Sequence, residues 1–236
     1  MSARATPGAP ILPRGRPLRL AVFDCDGTLV DSQHGIFAAM SAAFESFSLA
    51  PPSQALARRV IGLPLVDALA ALAPVEAGLD PERLAERYRD AFHAGRHAPD
   101  IDEPLFAGAV AALDALEAEG FLLGIATGKG RRGLEATLGR HDILSRFVTL
   151  QTSDSGPGKP HPAMLLRAMA ETGAAPAETV MIGDTSFDMR MARAAEVLAL
   201  GVGWGYHAAE ELTAAGAHAV VPSFPALPPA LFSLLP

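Results

Sequence analysis

Residues 18–32 read LRLAVFDCDGTLVDS, and the fold is decided there. The run LRLAVFD, residues 18–24, has the length and unbroken apolar character of a buried strand, and it stops abruptly at the polar turn Asp-Cys-Asp-Gly-Thr. This is a strand feeding a loop. Similar events recur downstream: FLLGIATGK from 121, FVTLQTSDSG from 147, TVMIGDTSFD from 179 and LALGVGW from 198. Helical patterns lie between them, among them AGAVAALDALEAEG at 107–120 and HPAMLLRAMAETG at 161–173. Strands alternating with helices predict an α/β fold with a mainly parallel, Rossmann-like sheet covered on both faces.

Residues 33–103 interrupt the alternation. QHGIFAAMSAAFESF, LVDALAALA and PERLAERYRDAFHAGR all read as helices, with no convincing strand between them. The expected organisation is a flexible tail at 1–17, an α/β core at 18–32 and 104–236, and an inserted helical domain at 33–103. The tail contains Pro7, Pro10, Pro13 and Pro17, which oppose the amphipathic helix of a transit peptide.

Half of the 236 residues are hydrophobic and 19% are charged, which suits a folded globular protein. The net charge of −7, with no concentrated Lys/Arg stripe, argues against a nucleic-acid partner. It also means that a phosphate site must bring its own local cations and amides. Cys25 is the single cysteine, so an intrachain disulfide and a thiolate metal cluster are excluded. No membrane-length apolar run and no secretory signal are evident, and the expected location is cytoplasmic.

In an open parallel sheet the carboxyl ends of the strands share one edge, where ligands bind. That edge would gather Asp24 and Asp26 after the first strand, Thr127 after the strand from 121, and Asp184 after the strand from 179. Lys159, in GPGKPHP ahead of a helix, can join them. Asp24 and Asp26 are two apart and point the same way, while Gly27 lets the chain turn sharply. Two carboxylates in one site require a cation, and oxygen ligands with room for water suit Mg²⁺. Asp184 is expected to complete the ligand set, with Asp188 four residues on, and Lys159 adds a second compensating charge. Thr127 and Gly128 offer a hydroxyl and an open amide near a helix N-terminus, a recipe for holding phosphate oxygens. Such a site permits attack of a carboxylate on phosphorus, with a neighbouring carboxyl as general acid and base.

These segments, DCDGTLVDS at 24–32, ATGK at 126–129, Lys159 and GDTSFD at 183–188, resemble the haloacid dehalogenase superfamily, and within it the phosphoglycolate phosphatase-like members with a helical cap. The resemblance runs from about residue 18 to 223. It implies Asp24 as nucleophile and metal ligand, Asp26 as general acid/base and a ligand through its main-chain carbonyl, and Asp184 as the third protein ligand. It further implies that Thr127 and Gly128 bind phosphate, Lys159 neutralises nucleophile and phosphoryl group, and Asp188 orients Lys159 or metal-bound water.

Each feature also has a plain reading. An isolated Asp-x-Asp is usually a solvated turn, Thr127 resembles a helix N-cap, and Asp188 can simply stabilise a helix start. Asp31 and Ser32 read as caps of the first inserted helix, Cys25 as packing, and His34, His93 and His97 as surface or inserted-block residues rather than metal ligands, one of which could still touch substrate. The segment VIGLPL at 60–65 either faces the site or only connects helices.

The expected activity is Mg²⁺-dependent hydrolysis of a small phosphorylated metabolite, 2-phosphoglycolate being one candidate, by a monomer or homodimer. A sugar phosphomutase keeps both aspartates but typically carries an acidic pair at the position of GDTSFD, so it stands as an alternative with pyrophosphatase and nucleotidase. A non-catalytic phosphate-binding regulator fits poorly with an intact Asp24 and Asp26.

Overall fold

The computed structural model describes residues 17–74, 78–95 and 103–235. Most of the proline-rich tail, and His97, lie outside them. The described chain runs β1 (Leu20–Phe23), α1 (Gln33–Glu45), α2 (Gln54–Val60), α3 (Leu65–Leu72), α4 (Pro81–Gly95), α5 (Ala109–Ala118), β2 (Leu122–Ala126), α6 (Arg131–Arg140), β3 (Phe147–Gln151), α7 (Ala163–Thr172), β4 (Thr179–Gly183), α8 (Ser186–Ala194), β5 (Leu198–Val202), α9 (Ala209–Ala214), β6 (Ala219–Val221) and α10 (Leu227–Leu234).

The sheet is wholly parallel, in the order β3-β2-β1-β4-β5-β6. β1 is central: Leu20 lies opposite both Leu122 and Thr179, and Phe23 opposite both Ile125 and Ile182. Its four residues are all buried, as a strand covered on both faces demands. The side chains alternate. Ala21 and Phe23 join Leu113 and Leu116 of α5, Leu134 of α6 and Leu227 and Leu231 of α10 on one face. Leu20 and Val22 join Met164 and Leu165 of α7, Met189 of α8 and Leu212 of α9 on the other. Cys25 continues the first of these faces, fully buried, so its side chain packs away from its two aspartate neighbours as expected.

Strand order reverses direction across β1 and β4, which opens a crevice at their carboxyl ends. Between β1 and β2 the chain makes helices α1–α4, whose apolar faces form their own cluster around Met40, Phe44, Val60, Leu69 and Leu84. The two chain passages that join these helices to the sheet are tied together, with the Asp31 amide donating to the Pro104 carbonyl at 2.9 Å.

Four elements, α2, the six-residue α9, β6 and α10, had no counterpart in the sequence reading. α2 has seven residues, too few to display a helical period, although Ser53 caps it by accepting from the Leu56 amide. β6 has three residues at the edge of the sheet. α10 grows from the proline-rich end, and it tolerates Pro228 and Pro229 because they sit in its first turn, where no amide partner is needed. No helix among the described residues is long and apolar enough to cross a membrane.

Candidate active site

The crevice gathers every residue that the motifs single out. Asp24 directly follows β1, and its amide donates to the Ile182 carbonyl at 2.9 Å, which carries the β1–β4 pairing one step further and fixes the backbone at the site. Its Oδ1 accepts from the Cys25 amide at 2.6 Å and lies 2.8 Å from Lys159 Nζ. The same ammonium is 2.6 Å from Asp188 Oδ1, and all three side chains are buried.

Asp188 has two tasks. Its Oδ2 accepts from the amide of Thr185 at 3.0 Å and from the Thr185 hydroxyl at 2.6 Å, closing a capping box at the start of α8. The helix-start reading thus holds on one oxygen, while the other oxygen faces Lys159. Asp184 sits just after β4, where Oδ1 accepts from the Thr28 hydroxyl at 2.8 Å and Oδ2 from the Tyr206 amide at 2.9 Å.

Asp24, Asp184 and Asp188 each place a carboxylate oxygen within 4.8 Å of the others. Burial pushes the Asp24 carboxyl up to about 7, against the pull of Lys159 and with the repulsion of Asp188 and Asp26. Burial, then the charges of Asp24 and Asp188, likewise hold Asp184 well above the usual carboxylate range. Burial opposes the charge on Lys159, but Asp188 and Asp24 outweigh it and hold the ammonium above its ordinary value. Three carboxylates against one ammonium leave a deficit of positive charge in a water-poor pocket, and a group of oxygen ligands so placed fits a hard divalent cation.

Asp26 is turned differently. Its carboxylate lies apart from the three that converge: Oδ1 accepts from the Ser32 hydroxyl at 2.6 Å and meets Lys129 Nζ at 3.0 Å. Gly27 follows with φ +83°, and a Cβ there would meet Asp184 Oδ2 and the Tyr206 ring at 2.4 Å, so the turn requires glycine both for its conformation and for its lack of bulk. Thr127 directly follows β2; its amide donates to the Gln151 carbonyl at 3.0 Å and its hydroxyl accepts from the Lys129 amide at 3.2 Å. The helix that follows is capped at Gly130, so Thr127 is no N-cap.

One expectation needs correcting. Ser32 precedes α1 but its side chain caps nothing; the hydroxyl serves Asp26 instead. Sequence reasoning also assigned no catalytic or binding role to Lys129, which ends ATGK, to Thr28, which ends DCDGT, or to the loop after β5. In that loop Trp204 Nε1 donates to the Thr28 carbonyl at 3.0 Å, and the Tyr206 hydroxyl lies 3.4 Å from Ser32 Oγ. GWGYH follows a buried strand, and the strand-end rule applied to Asp24 would have flagged it.

A cavity of about 280 Å³ opens above Asp24, Asp26, Thr127 and Gly128 and is roofed by α1–α4 and by Ile61, Gly62 and Leu63. The segment 60–65 thus faces the site. A Cβ on Gly128 would lie 2.8 Å from the Leu63 carbonyl oxygen and 3.2 Å from that of Gly62, so glycine at 128 is what permits the two backbones to approach. His93 also lines this cavity, whereas His34 is exposed.

The sequence profile of the haloacid dehalogenase-like hydrolases matches residues 21–202, a span that contains Asp24, Asp26, Thr127, Lys159, Asp184 and Asp188. The chain belongs to this family. Among its relatives is the "Probable phosphatase IndB" of Dickeya dadantii, 34% identical over 217 residues and covering 92% of this chain and 94% of its own. The phosphoglycolate phosphatase of Rhodospirillum rubrum is 31% identical over 216 residues, covering 89% of each chain. A hydrolase from Pseudomonas syringae has the same architecture, with a TM-score of 0.80 at 28% identity over 92% of this haloacid dehalogenase-like chain and all of its own. The membership expected from the four motifs holds, and with it the parallel α/β core and an enzyme of the phosphatase type.

Proposed function

We propose that this protein is a Mg²⁺-dependent phosphatase that hydrolyses a small phosphomonoester through an aspartyl-phosphate on Asp24. The observation that carries the reading is that Asp24 and Asp26 line one cavity while Lys159, buried beside Asp24, holds that carboxylate in place.

In the first step an Asp24 oxygen bonds to phosphorus as the ester P–O bond breaks, and the Asp26 carboxyl gives its proton to the departing oxygen. In the second, water attacks phosphorus, its proton passes to Asp26, and the bond to Asp24 breaks to release inorganic phosphate. Lys159 offsets charge on Asp24 and the phosphoryl oxygens, while Thr127 and Gly128 orient those oxygens. Ser32 and Lys129 hold the Asp26 carboxyl towards the cavity. Asp24, Asp184 and the main-chain oxygen of Asp26 would hold Mg²⁺, with Asp188 alongside, and when bound the ion supplies compensation for the charge of nucleophile and phosphoryl group. In this reading residues 33–103 are a cap over the core of 18–32 and 104–236, and it keeps bulk water out while the ester is bound.

The test is phosphate release from para-nitrophenyl phosphate by the purified protein with Mg²⁺, beside Asp24→Asn. The expected result is turnover by the parent, none by the variant, and beryllium fluoride trapping only in the parent. Undiminished turnover by Asp24→Asn overturns the covalent route.

A further inference from the structure

The chemistry of the cavity roof says more about the substrate than the motifs do. Its inner wall is built by Ile36, Met40, Leu63, Leu65, Tyr88 and Phe92. Tyr88 and Phe92 are stacked, with ring centroids 5.7 Å apart and an interplanar angle of 15°, so they present a continuous aromatic surface from α4. Lys129, which lines the cavity beside Asp26, is already engaged: its ammonium is 3.0 Å from Asp26 Oδ1 and 4.7 Å from the centroid of the Phe92 ring. Arg131 is held by Glu135 at 2.6 Å and reaches the Leu150 carbonyl at 3.3 Å. Arg89 and Arg132 line the cavity but are exposed, which places their charge at the mouth. There they attract a phosphorylated molecule to a protein whose net charge is −7.

A two-carbon acid such as glycolate has almost no apolar surface. Seated here, it would set a carboxylate against the aliphatic side chains of Ile36, Met40, Leu63 and Leu65, which replace none of the hydration it loses. A carbon-rich alcohol does the reverse, removing its own apolar surface and that of the wall from water together. The volume of about 280 Å³ is small for a ligand site, so the apolar part is compact.

We propose that the substrate is the phosphomonoester of a primary alcohol bearing a compact apolar body, alicyclic or aryl, and that Leu65 and the Tyr88–Phe92 pair select it. This rests on the hydrolytic reading above and assigns that site a leaving group unlike phosphoglycolate.

The experiment compares phosphate release from ethyl, butyl, cyclohexylmethyl and benzyl phosphates with that from 2-phosphoglycolate and glycerol 3-phosphate, using the Mg²⁺-loaded protein. The kcat/KM is expected to rise about fourfold for each methylene the wall covers, with the cyclohexylmethyl ester at least about tenfold above 2-phosphoglycolate. A flat series, or 2-phosphoglycolate at the top, overturns the proposal. Leu65→Arg is expected to lower kcat/KM for the cyclohexylmethyl ester at least about tenfold while raising it for 2-phosphoglycolate; equal losses on both count against it. Should none of the esters release phosphate, the hydrolytic reading fails by itself, and calorimetric titration of the same esters into the unaltered protein decides the inference. Tighter binding of the cyclohexylmethyl ester than of 2-phosphoglycolate upholds it, and equal or weaker binding overturns it.

Discussion

The hydroxyl of Ser32 donates to Asp26 Oδ1 across 2.6 Å, joining the last residue before α1 to the second aspartate of the DCDGT turn. The contact is partly buried, so solvent does not readily replace it. A hydrogen bond to a charged group contributes about 1.5–3 kcal/mol, which corresponds to roughly tenfold to a hundredfold in rate if the aspartate must be held in place for proton transfer. Ser32→Ala is expected to lower kcat by about that factor with KM little changed, and Ser32→Thr to recover most of it. Steady-state kinetics on all three proteins check this, and a loss confined to KM would remove Ser32 from the positioning of Asp26.

Lys159 is buried between Asp24 and Asp188. Removing one partner from a buried ionic group costs about 3–5 kcal/mol, because the remaining charges are left unpaired. Lys159→Met is therefore expected to unfold at much lower denaturant concentration. Added Mg²⁺ should recover part of the loss, since a ligand that binds only the folded state stabilises it by an amount that grows with the logarithm of the ligand concentration above Kd. Urea titrations with and without Mg²⁺ read both effects, and a variant as stable as the parent in metal-free buffer contradicts the ionic cluster as a source of stability.

Chelation tests the converging carboxylates of Asp24, Asp184 and Asp188 directly. Treatment with EDTA is expected to silence phosphate release and Mg²⁺ to restore it, whereas Ca²⁺, with looser coordination, should occupy the site and inhibit. Full activity in a preparation shown to be free of metal would rule out the metal requirement.

The approach of Gly128 to the Leu63 and Gly62 carbonyls predicts a large effect from a small change. Gly128→Ala adds one methyl 2.8 Å from a backbone oxygen that cannot swing aside. The segment 60–65 must retreat, and a shift of about 1 Å near reacting groups costs on the order of 10²-fold in kcat/KM. The far-ultraviolet circular dichroism should stay unchanged, separating a displaced roof from a lost fold. A variant with parental kcat/KM would show that the close approach is not needed for turnover.

How much of this was written in the chain varies with the length of the signal. β1 and β4 were legible because a buried strand must end, and each ends in polar residues, Asp24 and Asp184, that a core would not tolerate. α2 and β6 were not, being shorter than a period can reveal. The residues of the motifs meet in the crevice because strand ends share an edge, a matter of topology that a sequence pattern does encode. Ser32 shows the opposite case. A serine before a helix looks the same whether its hydroxyl caps that helix or turns to Asp26, and only the direction of the side chain separates the two. Lys129 ends the ATGK segment and Tyr206 follows the end of β5, so the pattern places both near the site, but only their distances to Asp26 and Asp184 show what each one touches.

Asp188 gives one oxygen to the first turn of α8 and the other to Lys159. Under the proposed mechanism, stability and reactivity are thus not separately adjustable at this position. Asparagine could keep the cap but would release the ammonium; glutamate, the usual residue at this position of a capping box, could keep the cap but would have to fit one more methylene into a fully buried site beside Lys159. For anyone seeking a hardier or a faster version of this protein, Asp188 is a place where the two aims meet on a single carboxylate, and improvement in one has to be sought elsewhere in the chain.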